Sequence, residues 1–354
     1  MAIDPALVQR ISGETGFQAD VVEQILVLKS ILQKISNDPV LSSHFVLIGG
    51  TAINLFTKEI SRLSVDIDLD YVRRGTKPFD PNTIDKHFDT LGRIALSLGM
   101  KVYDGRSPNV KGSEKLRIMI EYNSNFSRDT GTLKLDISYL MKTTIYKPRR
   151  TRMRQLHPDD SFRALSFTVA ESSELWAGKA LALVYKSDKD PRKDEVSDLY
   201  SMQIARHLFD VSGYQQRIEH KRLSVDNAAL RKAFIVKGVA RIPELFLLTG
   251  GGMRHCTEVE IQKELDPYLK QRSDGKGLAD RPTLQQMKKC AREFLNLVCS
   301  NAWTKREKQF VEEFQEKGIY KPELLFSKES QEFTRLQNND FLLKTAEGYH
   351  KKAS

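Results

Sequence analysis

Hydrophobic and polar positions divide the chain into two regimes. Over residues 1–40 the apolar positions Val21, Val22, Ile25, Leu26, Leu28, Ile31, Leu32 and Ile35 recur at helical spacing. The short apolar run His44-Phe45-Val46-Leu47-Ile48 then ends at Gly49-Gly50, as a buried strand closing in a turn would. Ala52, Ile53, Leu55 and Phe56 fit one face of a short helix that Thr51 is placed to cap. From Ser64 to Val72 the pattern alternates: Val65, Ile67, Leu69 and Tyr71 share one face, and Asp66, Asp68 and Asp70 share the other.

A helix is predicted over 84–99, with Ile84, Phe88, Leu91, Ile94, Ala95 and Leu98 along one side. Two strands follow, at 116–122 and 133–138. The Asn-, Ser-, Asp- and Gly-rich stretch from Asn123 to Thr132 joins them as a hairpin connection would. The first 165 residues or so therefore read as α+β with a mixed or antiparallel sheet. From about 171 onward nearly everything reads as helix: 171–186, 194–211, 214–236, 256–271, 283–300 and 304–317. The breaks fall at Lys186 to Lys193, Thr249 to Gly252 and Ser273 to Pro282. The expected organisation is a helical segment 1–40 packing on a core 41–165, a mainly α-helical C-terminal domain 166–326, and a polar, partly irregular tail 327–354.

Composition changes this picture little. Of the 354 residues, 40% are hydrophobic and 29% charged, enough apolar material for sizeable cores. No apolar run approaches the roughly 18 residues that span a bilayer, and the opening Met1-Ala2-Ile3-Asp4-Pro5 lacks the pattern of a secretory signal. Cys256, Cys290 and Cys299 are odd in number and lack metal-ligand spacing, which suits reduced thiols in the cytoplasm. The formal charge of +10 favours a polyanionic partner, although a basic surface also serves solubility.

The chemistry concentrates at the turn and the acidic strand. A strand that ends in two glycines and enters a helix presents unpaired N–H groups at the positive end of the helix dipole, where a phosphate fits. Asp66 and Asp68, two apart on one strand, repel each other unless cations neutralise them. Hard carboxylate oxygens suit Mg²⁺ (or Mn²⁺), which shares its remaining positions with substrate phosphates. Alone, a Gly-Gly turn is an ordinary turn and an Asp-x-Asp strand an ordinary solvated edge. Together with Asp136, which faces away from Leu135 and Ile137, they form a coherent set. Three carboxylates from neighbouring strands are expected to hold two metal ions, one activating a hydroxyl and one clamping a triphosphate.

The stretch Val46-Leu47-Ile48-Gly49-Gly50-Thr51-Ala52-Ile53-Asn54-Leu55, followed by Arg62-Leu63-Ser64-Val65-Asp66-Ile67-Asp68-Leu69, closely resembles the signature of the AbiEii/AbiGii toxin family. That family lies within the DNA polymerase beta-like nucleotidyltransferase superfamily. The resemblance extends to Glu174-Leu175-Trp176-Ala177-Gly178-Lys179-Ala180-Leu181-Ala182-Leu183, to Asp198-Leu199-Tyr200 and to Gly318-Ile319-Tyr320-Lys321-Pro322-Glu323-Leu324-Leu325-Phe326, so it covers about 40 to 326. It implies a nucleotidyltransferase core completed by the helical domain. Gly49, Gly50 and Thr51 would bind the nucleotide, Asp66 and Asp68 the metal, and Lys179 and Asp198 would act as active-site residues, Lys179 also contacting the nucleotide. Two departures stand out: Thr where the superfamily turn more often has Ser, and Gly178 where an acidic residue commonly precedes the lysine. Lys179 sits on a strongly apolar helix, where a lysine either reaches solvent or is held against an anion. Asp198 also fits a local ion pair with Lys193.

An acceptor is suggested by six cations within thirteen residues: Lys142, Lys147, Arg149, Arg150, Arg152 and Arg154, with Tyr146 and Met153 interleaved. Such a segment suits a phosphate backbone, and an aromatic there can stack on a base. Lys147, Arg149, Arg150, Arg152 and Arg154 are the expected RNA contacts. By resemblance, the chain is a cytoplasmic toxin of a toxin–antitoxin or phage-defence system. It would transfer a nucleotide from an NTP to RNA, with the tRNA acceptor end as the expected target and a cognate antitoxin as partner. The alternatives are an AMPylase with a protein acceptor, or a non-catalytic nucleic-acid-binding protein that keeps the fold.

Overall fold

The computed structural model describes residues 3–56, 63–73, 79–104, 114–127, 130–160, 162, 165–184, 205–214, 225–242, 245 and 283–353. Among these, the residues up to Thr144 and from Pro148 to Ala170 form one compact unit. Ile145 to Lys147, with the residues from Glu171 onward, form another.

The first unit opens with helices α1 (Pro5–Thr15) and α2 (Ala19–Asn37). Asp4 caps α1 by accepting from the Ala6 N–H, Pro5 sets its first turn, and Gly16 ends it at φ 74°, a left-handed conformation that glycine adopts without strain. A short helix α3 (Pro39–His44) leads into strand β1 (Phe45–Ile48), and helix α4 (Gly49–Phe56) follows at once. Strand β2 (Ile67–Tyr71), helix α5 (Asn82–Ser97), and strands β3 (Lys101–Asp104), β4 (Lys115–Asn123), β5 (Thr130–Ser138), β6 (Arg149–Arg152) and β7 (Ser166–Val169) complete the unit.

The seven strands form one mixed sheet in the order β3-β4-β5-β2-β1-β7-β6. Among the described residues, only β2–β5 and β1–β7 pair in parallel. The α+β expectation holds, and the strands β2, β4 and β5 fall where alternation places them. Strands β3, β6 and β7 are additions to the sequence reading; four residues of mixed character carry too few periods to be read. One sheet face is apolar: Ile67, Leu69, Leu116, Ile118, Leu133, Leu135 and Ile137 are all essentially inaccessible. Helix α5 packs there, bringing His87 against Phe45 and Tyr71 and its Nδ1 within 2.8 Å of the Tyr139 hydroxyl. The opposite face carries the polar positions of the same strands, Asp68 and Asp136 among them.

Helix α2 holds a buried ion pair, Lys29 with Asp160, both essentially inaccessible to solvent. Burial pulls the Lys29 pKa below the usual lysine range, and the Asp160 carboxylate opposes that shift.

The second unit is helical, as expected: α6 (Ser172–Val184), a helical stretch at 205–214, α7 (Asn227–Val239), α8 (Leu284–Asn296) and α9 (Lys305–Gln315). Its core includes Trp176, Tyr214 and Phe294, with ring centroids 4.7 Å apart for Trp176–Tyr214 and for Tyr214–Phe294. Thr283 and Thr304 begin α8 and α9 with capping boxes. The predicted helix 256–271, the breaks at Lys186 to Lys193, Thr249 to Gly252 and Ser273 to Pro282, and Cys256 lie outside the described residues.

Beyond 327 the structure departs from the expected irregular tail: α10 (Gln331–Leu336) and α11 (Asp340–Ala353) are helices. Ser330 caps α10 by accepting from the Phe333 N–H, the Tyr320 hydroxyl donates to the Leu336 carbonyl, and Leu336, Leu342 and Ala346 are buried. Apolar residues so thinly spaced in a polar stretch hide a helical face that only packing reveals.

Candidate active site

The site begins at the β1–α4 junction. Gly49 has φ +73°, so the chain leaves β1 through a left-handed residue and enters α4 within one step. The antiparallel register pairs Ile48 with Asp68, which brings the Asp68 side chain against the turn. A Cβ placed on Gly49 would lie 2.2 Å from Asp68 Oδ2 and 2.9 Å from its Cγ. Only glycine permits this approach, on both conformational and steric grounds.

Thr51 does not cap α4. It is the third residue of the helix and fully buried, and its hydroxyl donates to the backbone carbonyl of Asp66, with the Ser64 carbonyl at 3.2 Å. Because the helix begins at Gly49, the Thr51 hydroxyl lies past the cap position and instead pins α4 to the segment entering β2. Asn54 adds a hydrogen bond within α4, donating from Nδ2 to the Gly50 carbonyl at 2.8 Å.

Asp66, Asp68 and Asp70 emerge together on the polar face, each half-buried, while Ile67, Leu69 and Tyr71 enter the core. The parallel β2–β5 register sets Asp68 beside Asp136, so the fold brings the three expected carboxylates onto one face. The structure adds cations that the sequence reading did not name. Arg117 of β4 lies opposite Asp136 and binds it through two parallel hydrogen bonds, Nε to Oδ1 at 2.8 Å and Nη2 to Oδ2 at 2.9 Å. Lys134 lies 3.5 Å from Asp66 Oδ2 and 3.9 Å from Asp136 Oδ2. The Arg117 pKa is raised, first by its hydrogen bond to Asp136 and further by the charges of Asp136, Asp66 and Asp68, with burial opposing. The polar-face placement of both cations was legible in principle, and their pairing with the carboxylates was not. Lys134 is two residues from Asp136, and Arg117 occupies the polar phase of an alternating strand.

Among the described residues, no three His, Cys, Asp or Glu side chains are placed to hold a metal ion together. Asp136, expected to be such a ligand, gives both of its oxygens to Arg117. Asp66 and Asp68 have the donor chemistry for a hard divalent cation: two adjacent carboxylates on one strand face, with Asp68 set against the Gly49 turn.

Within the helical unit, Lys179 is 5% exposed, and its ammonium donates to Asp210 Oδ2 at 2.6 Å. A second buried pair, Lys237 with Glu174 at 3.2 Å, lies in the same unit. The anion that holds Lys179 is thus a carboxylate of its own unit. Asp198 lies outside the described residues.

The basic segment divides. Arg149, Arg150 and Arg152 are exposed on β6, at the end of the sheet, and Lys147 and Arg154 are exposed beside it. Arg150 also donates to the Ser36 hydroxyl at 2.7 Å. Tyr146 is half-buried and anchored in the helical unit. Its hydroxyl donates to the Ala229 carbonyl at 2.8 Å, its N–H donates to Glu174, and its ring meets Phe326 edge-on. Burial, and then the Glu174 charge, push its phenol pKa up. Met153 is buried.

Among the described residues, no helix is long and apolar enough to cross a membrane. Comparison with solved structures finds MenT4, a nucleotidyltransferase toxin from Mycobacterium tuberculosis, at 12% identity and a TM-score of 0.54, covering 98% of this chain and 99% of that one. It also finds JHP933 from Helicobacter pylori at 16% identity and a TM-score of 0.38, covering 84% of this chain and 94% of that one. The search of curated proteins found no match. The family model for the nucleotidyl transferase AbiEii toxin of type IV toxin–antitoxin systems matches residues 30–316. A match over most of the length, on a fold shared with MenT4, means that this chain belongs to the AbiEii nucleotidyltransferase toxin family.

Proposed function

We propose that this toxin transfers a nucleoside monophosphate from an NTP to an RNA hydroxyl, with the tRNA acceptor end as target, and so blocks translation until a cognate antitoxin counters it. In that reaction the acceptor oxygen bonds to the α-phosphorus, the bond to the departing pyrophosphate breaks, and the hydroxyl proton is lost. The backbone at Gly49 and Gly50, at the start of α4, offers N–H groups to the triphosphate. Asp66 and Asp68 would hold Mg²⁺ or Mn²⁺, which when bound supplies positive charge to the triphosphate and favours the ionised acceptor hydroxyl. Thr51 keeps the turn and the carboxylate strand in register through its bond to the Asp66 carbonyl. Exposed Lys147, Arg149, Arg150, Arg152 and Arg154 supply phosphate contacts for the RNA. Lys179 and Asp198 enter by family resemblance. Loss of the Lys179 charge should lower transfer by at least ~10²-fold, as removal of a preorganised charge does.

The observation that carries this reading is the meeting of the Asp68 carboxylate with the Gly49 turn, where a Cβ would come within 2.2 Å. The test is incubation of the purified chain with each labelled NTP, Mg²⁺ and either total tRNA or cell lysate. Label in tRNA, lost in the Asp66→Ala/Asp68→Ala variant, is the expected result. Label in protein alone would indicate an AMPylase. A double variant as growth-inhibitory as the wild type would indicate toxicity by nucleic-acid binding without transfer.

A further inference from the structure

The carboxylate face carries two cations that the transfer scheme above does not use. On β5, Lys134 and Asp136 share one face, and the parallel register sets the lysine beside the residue that enters β2. Its ammonium therefore reaches Asp66 at 3.5 Å and Asp136 at 3.9 Å. Arg117 reaches Asp136 from the other side, across the antiparallel β4–β5 pair, with a fork that engages both oxygens. The three carboxylates thus share their face with two positive charges fixed by the sheet.

That arrangement bears on how much metal the face takes up. Three bare aspartates repel one another and call for strong outside neutralisation. Here part of it is built in. A guanidinium fork fixes the plane of the Asp136 carboxylate, and a cation approaching that residue meets both Arg117 and Lys134. Asp68 lies instead against the Gly49 turn, and Asp66 meets Lys134 at 3.5 Å.

We propose that Arg117 and Lys134 stand in for a second metal ion: the chain binds a single divalent cation on Asp66 and Asp68, while Arg117 keeps Asp136 off the metal. This inference rests on the nucleotidyltransferase reading and makes Arg117 and Lys134 positioning residues. Lys134 competes with the incoming cation for Asp66, so it tunes affinity. Arg117 withholds a ligand, so it sets the stoichiometry.

The test is a Mn²⁺ titration of the full chain followed by electron paramagnetic resonance, with Mn²⁺ as the only probe. Wild type should bind one Mn²⁺ at the carboxylate face, lost in Asp66→Asn/Asp68→Asn. Arg117→Gln should admit a second ion, and Lys134→Met should tighten the first by ~10-fold or more, the scale on which neighbours of metal ligands act. Lys134→Arg should keep wild-type behaviour. A merely structural role would lower thermal stability without changing the number of ions or their affinity. Each variant is therefore also melted in EDTA and in Mn²⁺, and Mn²⁺ should restore stability lost in EDTA. Two ions in the wild type, a single ion in folded Arg117→Gln, or unchanged affinity in Lys134→Met overturns the inference and leaves nucleotidyl transfer standing. If Arg117→Gln does not fold, Lys134→Met decides alone. Mn²⁺ binding that Asp66→Asn/Asp68→Asn leaves unaltered removes the carboxylate site, and the transfer scheme falls with it.

Discussion

Replacing Gly49 with alanine tests the geometry at the centre of the site with a single methyl group. Two effects add. The residue holds φ +73°, where a side chain strains the backbone by about 1–3 kcal/mol. The new Cβ would also lie 2.2 Å from Asp68 Oδ2 and 3.0 Å from Asp68 Cβ. Nonbonded contacts are comfortable only beyond ~3.5 Å, so the carboxylate must retreat by roughly 1 Å. A displacement of that size at a reacting centre lowers rates by about 10²-fold. Denaturant unfolding reads the first effect, and nucleotide transfer under conditions where the variant is folded reads the second. Gly13→Ala is the control: it lies in α1 with nothing within 4 Å of a new Cβ. That change should stabilise by ~0.5–1 kcal/mol and leave transfer unaltered. A Gly49→Ala protein with wild-type stability and full transfer would refute the claim that Asp68 is positioned by its approach to this turn.

Burial lowers the His87 pKa from 6.5 to about 4, with His44 adding to the shift and Asp38 opposing it. Because the unfolded chain binds this proton more readily, stability is full above 6.5 and declines as pH falls toward 4, by about 3 kcal/mol in all; a His87→Gln variant whose stability falls just as steeply with acid would contradict this. Removing Lys179 leaves Asp210 buried without its cation, so Lys179→Ala should lose about 3–5 kcal/mol in urea unfolding, and Lys179→Met/Asp210→Leu should recover much of that loss. A double variant no more stable than the single would count against the pair. Arg149→Ala/Arg152→Ala should weaken RNA binding across sequences. Filter binding should show the plot of log affinity against log salt flattening by ~0.7 for each single-strand phosphate that no longer meets an arginine. An unchanged slope would remove β6 from the RNA interface.

Much of the site was legible because its residues sit on one strand with a clean period of two. Ile67, Leu69 and Tyr71 inside force Asp66, Asp68 and Asp70 out, whatever the strand pairs with. Pairing itself was not legible. Nothing in residues 67–71 says that their parallel pairing starts more than sixty positions later, at Leu135, or that Arg117 lies across from Asp136. The carboxylates were therefore found and their cations missed. Thr51 misled for a local reason: a hydroxyl after two glycines suits a helix cap, but the helix starts two residues earlier and the hydroxyl answers to distant carbonyls. The same limit hid the environment of Tyr146, which reads as a base-stacking aromatic among arginines until its hydroxyl is traced to Ala229. Strands β3, β6 and β7 escaped because four residues of mixed character give no period, and α10 and α11 because their apolar residues are too thinly spaced to show a face before packing.

The strand order carries a consequence for synthesis. Strand β1 is among the first made, yet its two flanks in the sheet are β2 and β7, and β7 ends at Val169. As the chain leaves the ribosome, the glycine turn emerges early, but the sheet that fixes it cannot close until well over a hundred further residues follow. Pairings this distant form late and slowly. A nascent or prematurely ended chain therefore carries the signature residues without the platform that aligns them. The ribosome making this toxin would meet a finished catalyst only after the sheet has been released whole.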